Sequence, residues 1–135
     1  MVIYMTKNEI VNFWLEKSKT EIETANVMFN TGYYLYTGFM CHQAIEKILK
    51  AYYIHVKDER HPHIHSLPSL MKEVELDKIA SANQMETITK LNPLYIEARY
   101  EDYKKKISML LTKDYTRTLL TETEALHNWI QQLME

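Results

Sequence analysis

Phe39-Met40-Cys41-His42-Gln43-Ala44-Ile45-Glu46-Lys47-Ile48-Leu49-Lys50-Ala51 sets apolar residues at helical spacing beside a polar row of Gln43, Glu46, Lys47 and Lys50. On an α-helix, side chains three, four and seven apart share a face, so Gln43, Glu46 and Lys50 form one stripe with Lys47 next to it. Phe39, Met40, Ala44, Ile45, Ile48 and Leu49 fall largely on the other side. The ordinary reading is an amphipathic helix whose solvated face carries Glu46-to-Lys50 pairing, worth about 0.2–0.5 kcal/mol. The functional reading makes the same stripe one wall of a binding cleft.

On either side of this stretch the chain continues as helix. It has 2 Gly and 3 Pro in 135 residues, so few places break structure. Thr6 with Glu9 makes a capping box that opens a first helix over about residues 7–30, and Asn30-Thr31-Gly32 stops it. The second helix runs from Tyr33 or Tyr34 to about Lys57 and ends in the polar stretch Asp58-Glu59-Arg60-His61-Pro62-His63. The short turn between these two helices predicts antiparallel packing. Ser66 caps a short third helix through about Val74, with Pro68 tolerated in its first turn. Asp77 is read as the cap of a fourth helix, which Asn92-Pro93 closes. Residues 93–102 read as an irregular connection, followed by a short helix over Tyr103–Leu110. Thr112 begins the last long helix, where Tyr115, Leu119, Leu126, Trp129, Ile130 and Leu133 mark the buried side.

This all-α pattern fits one domain over residues 1–135, long enough to bury a core without staples. The formal net charge of −2 gives no global field for nucleic acid, so any phosphate binding must be local. Cys41 is the only cysteine, which excludes an internal disulfide and predicts a packed, inert thiol in a reducing interior. The absence of a secretory h-region, and of any stretch of roughly 18 apolar residues, predicts a cytoplasmic protein with no membrane span. With only Gly32 and Gly38, no glycine-rich phosphate loop is possible. Ten Tyr exceed what a core this size can bury with satisfied hydroxyls, so some belong at a subunit interface.

The order of motifs resembles the HEPN domain family. Gln43-Ala44-x-Glu46-Lys47-x-x-Lys50-Ala51, His65 with Leu67 and Leu70, and Ala98-Arg99-Tyr100 carry the resemblance, which covers almost the whole chain. It implies an up-and-down bundle of four or five helices, commonly a homodimer, often encoded beside a minimal nucleotidyltransferase in a toxin–antitoxin-like module. It also implies nucleotide or RNA binding by Gln43, Glu46, Lys47, Lys50, Arg99 and Tyr100. The ribonuclease branch of the family carries Arg followed four to six residues later by His near the start of a late helix. After Arg99 the segment Tyr100-Glu101-Asp102-Tyr103-Lys104-Lys105-Lys106 holds no His, which argues against that chemistry.

Chemistry assigns the members of this set separate tasks. Arg99 is the bidentate phosphate clamp, and Tyr100 or Tyr103 a platform for a base. In the competing reading Arg99 pairs with Glu46 and ties the irregular connection onto the second helix. An enzyme reading pairs Arg99 with His65, as cation and proton carrier. A third reading is a purely structural bundle that dimerises and docks a partner. His61, His63 and His65 alternate in one loop and are weak metal candidates without the fuller ligand set of a fixed zinc site. His65 is better placed to hydrogen-bond back to the second helix. His42 and His127 sit on helical patterns and read as packed or partly exposed rather than catalytic. No cofactor is implied.

Overall fold

The computed structural model describes residues 5–57, 63–95 and 101–135. Thr6 opens α1 (Lys7–Asn30) with the expected reciprocal cap: the Glu9 N–H donates to Thr6 Oγ1 at 3.2 Å, and the Glu9 carboxylate accepts from the Thr6 N–H. Gly32 then takes φ +85°, a left-handed conformation that glycine adopts at little cost. The chain reverses there into α2 (Tyr34–Lys57), which packs along α1.

Ser66 caps α3 (Leu67–Glu73) by accepting from the Ser69 N–H. A 3-10 turn over Leu76–Lys78 leads to α4 (Ala82–Leu91), and a second over Asn92–Leu94 follows it. α5 (Glu101–Leu110) and the Thr112-capped α6 (Lys113–Gln132) complete the bundle. Among the described residues there is no strand, and no helix is long and apolar enough to cross a membrane.

The cap of the fourth helix differs from expectation. Asp77 sits inside the 3-10 turn, and α4 starts at Ser81, whose hydroxyl accepts from the Gln84 N–H at 3.1 Å while the Gln84 side chain accepts from the Ser81 N–H. Glu75 explains the delay: its φ of +60° ends the helical path after α3, and the chain needs a tight turn before it can start again. Ile79, read as part of the fourth helix, is therefore left exposed, and Leu133 at the end of α6 is partly exposed rather than buried.

α2 lies at the centre. α1 covers one side, and α6, α3 and α4 pack around the rest. Ile45, Ile48 and Leu49 are fully buried against Leu67, Leu70, Met71, Ile88, Leu91, Leu119 and Leu126. Each such side chain stabilises the fold by about 1.5–3 kcal/mol relative to exposure. Small residues let the neighbours come close: a Cβ on Gly38 would stand 2.9 Å from Leu111 Cδ1, so the corner between α5 and α6 seats against bare backbone. This central position corrects the reading of a solvated polar face, because Glu46 is 3% exposed and Lys50 is 7% exposed.

Candidate functional site

Glu46 is the hub of the buried polar stripe. Its Oε2 accepts from Lys50 Nζ at 3.2 Å, one helical turn away, and its Oε1 meets His65 Nδ1 at 2.9 Å. Lys50 also lies over the Trp14 ring of α1, 5.7 Å from the centroid. A buried carboxylate is retained at low cost only when both its oxygens are bonded. Here Lys50 and His65 supply those bonds.

His65 reaches Glu46 because one junction fixes its segment. Asn92 Oδ1 accepts from the Leu67 N–H at 3.1 Å, joining the start of α3 to the end of α4. His65 stands two residues before that bond and Tyr95 three residues after Asn92, and their rings stack at 4.6 Å with a 13° interplanar angle. The His65 side chain stays 53% exposed while its carboxylate partner is buried. Since a carboxylate oxygen accepts, the proton at this contact sits on Nδ1, and a neutral imidazole then presents a basic Nε2 on its far edge.

His42, one turn before Glu46 on α2, lies under the same group, 5.5 Å from the Tyr95 ring centroid. It is fully buried. Burial pushes its pKa down to about 4 against the opposing pull of Glu46. The Gln43 amide approaches its Nδ1 at 3.5 Å, and its Nε2 has no hydrogen-bond partner among the described residues.

The predicted set divides into three. Glu46 and Lys50 form one unit and Gln43 borders it through His42. Lys47 turns the other way and pairs with Glu21 of α1, with both side chains 17% exposed. Arg99 and Tyr100 lie outside the described residues, and so does the alternative pairing of Arg99 with Glu46. Tyr103 lies in the first turn of α5, which begins two residues earlier than expected, at Glu101, and donates its hydroxyl to the Pro93 carbonyl. His61 also lies outside the described residues and His63 is exposed. Among the described residues no three His, Cys, Asp or Glu side chains gather as a metal site.

Sequence reading missed Tyr95 and His42 as members of this cluster. The spacing of His42 and Glu46 was a usable signal, since residues four apart share a helix face. Nothing local announced Tyr95. His127 is packed as expected, its Nε2 2.8 Å from Ser18 Oγ across the α1–α6 contact, and burial lowers its pKa to about 4. Cys41 is buried, with its thiol pushed up to about 12 by desolvation. A separate cavity of about 320 Å³ between the ends of α1, α2 and α6 is lined by none of the predicted residues.

The model of the HEPN domain matches residues 11–133. The chain belongs to the HEPN domain family. Two solved structures share the HEPN fold seen here. The archaeal HEPN homologue ST0689 superposes with a TM-score of 0.73 at 21% identity, covering 93% of this chain and 98% of its own. TT1696 from Thermus thermophilus gives 0.74 at 20% identity, covering 90% and 96%. No curated protein matches the chain significantly.

Proposed function

We propose that this HEPN protein is a cytoplasmic, homodimeric binding module that takes a nucleotide or single-stranded RNA where His65 and Tyr95 open onto the surface. In this reading it works beside a minimal nucleotidyltransferase in a toxin–antitoxin-like pair, and residues 1–135 form one HEPN unit. The observation that supports it is the His65 ring, half exposed yet held by buried Glu46 and stacked on Tyr95. A fixed, flat, hydrogen-bonding surface of this kind loses little entropy on meeting a base or a phosphate ester.

Arg99, from the segment that follows Tyr95, is the proposed phosphate clamp, and Tyr100 a neighbouring stacking ring. Glu46 and Lys50 position His65, and Gln43 borders the ligand. Lys47 is proposed at the margin, its charge offset by Glu21. The test is titration of the protein with ATP and with a short single-stranded RNA, alongside Arg99→Ala and His65→Ala. Losing a charge-assisted contact of about 1.5–3 kcal/mol weakens binding roughly tenfold or more. Unchanged binding in Arg99→Ala removes Arg99 from the site, and no binding by the wild type defeats the proposal in favour of a purely structural bundle.

The Glu46–His65 bond also favours a second reading, RNA cleavage, because a carboxylate that fixes the Nδ1 proton leaves Nε2 as a general base. That reading requires cleavage lost in both His65→Ala and Arg99→Ala.

A further inference from the structure

At the other end of α2 the bundle carries a second surface with a different character. Tyr33 and Tyr36 are 58% and 45% exposed, with ring centroids 6.5 Å apart and planes at 67°. Lys104 of α5 places its ammonium 5.9 Å from the Tyr36 centroid, and Arg117 of α6 places its guanidinium 5.5 Å from that of Phe29. Phe29 in turn lies 5.6 Å from Tyr34. Four elements thus bring cations and aromatic rings together at one end of the molecule. Tyr36 precedes Glu46 by ten residues, about 15 Å along the helix axis, so this surface is distinct from the His65 cluster.

The local charge is opposite in sign to that of the whole chain. Between residues 101 and 117, Lys104, Lys105, Lys106, Lys113 and Arg117 outnumber Glu101, Asp102 and Asp114, although the protein carries −2 overall. Among the described residues, only Arg117 of these cations has a close acidic partner, Asp114 at 3.6 Å, and that pair is exposed.

We infer that this end of the bundle, built from Tyr33, Tyr36, Lys104 and Arg117, is a binding surface for single-stranded RNA. A strand of alternating phosphates and planar bases suits a surface that alternates cations and rings. An acidic peptide would satisfy the cations but leave the two exposed tyrosine rings uncovered. The non-parallel planes of Tyr33 and Tyr36 suit bases splayed apart, and stacking of this kind tolerates any sequence.

The test is fluorescence anisotropy of a labelled, unstructured oligouridylate with the full chain, over a series of salt concentrations. Tyr33→Ala/Tyr36→Ala is expected to weaken binding about tenfold or more, while Tyr33→Phe/Tyr36→Phe, which keeps both rings, stays within about twofold. Lys104→Ala/Arg117→Ala is expected to flatten the salt dependence by about 1.4 in log–log slope, the signature of two lost phosphate contacts on a single strand. His65→Ala, which probes the other cluster through ATP titration, leaves the effect of the tyrosine variants in place. The inference is overturned if the wild type does not bind the oligonucleotide, or if the alanine pair binds like wild type. It is equally overturned if the phenylalanine pair loses as much as the alanine pair, or if light scattering shows that the alanine pair has split a dimer, which would make this end a contact between copies.

Discussion

Lowering the pH from 7.5 to 5 should remove about 4 kcal/mol of folding stability, through two histidines that the fold holds neutral. His42 and His127 are buried, and desolvation lowers the pKa of each from 6.5 to about 4. Between those values the unfolded chain binds protons that the folded chain refuses, so stability falls as pH falls. It is fully present above the unfolded pKa of 6.5, and the loss is complete only once the pH drops below about 4. At pH 5 each imidazole contributes about 2 kcal/mol to the loss, and below pH 4 about 3 kcal/mol. Against the roughly 5–15 kcal/mol typical of a domain, this is a large share. Urea denaturation at the two pH values measures it, with an unchanged m-value expected. His127→Gln, which keeps a polar group opposite Ser18, should lose only about half as much on acidification. Equal wild-type stability at pH 5 and pH 7.5 would refute the argument.

Glu46→Ala leaves Lys50 buried without its carboxylate and should destabilise the fold by about 3 kcal/mol in urea denaturation. Glu46→Gln retains an acceptor and should cost less. Ser81→Ala removes one half of the α4 cap and should cost about 1 kcal/mol, whereas Asp77→Ala should stay within about 0.5 kcal/mol. Cys41, buried with its thiol pushed up to about 12, should react with a thiol reagent only as fast as the protein unfolds. Labelling in the native state at the rate of an exposed thiol would contradict that placement.

Helix ends were legible where local chemistry decides them. Thr6, Ser66 and Thr112 cap where their side chains accept from a backbone N–H three residues on, and Gly32 turns where a positive φ is needed. The Ser81–Gln84 pair had the same signature, yet Asp77 drew the boundary early because an acidic residue before an apolar run resembles a cap. Only the left-handed Glu75, invisible in residue type, shows why the chain first makes a 3-10 turn.

The candidate site was legible as a stripe and not as an environment. Spacing placed Glu46 and Lys50 on one face, but burial depends on how many neighbours a helix has, and α2 has them on several sides. The period of a single helix reports which residues align and says nothing of what covers them. Lys47 departed for the same reason: Glu21, its partner, sits on another helix far away in sequence. Tyr95 joined the cluster because the Asn92 bond to Leu67 brings two segments together, a contact between residues 25 apart in the chain.

The account rests on the His65–Tyr95 surface being where a ligand lands. Imidazole resonances followed by NMR during titration with ATP and with a short single-stranded RNA test this directly. Saturable shifts in the His65 signals, with those of buried His127 unmoved, are the predicted result. Binding that leaves the His65 signals where they were would contradict it.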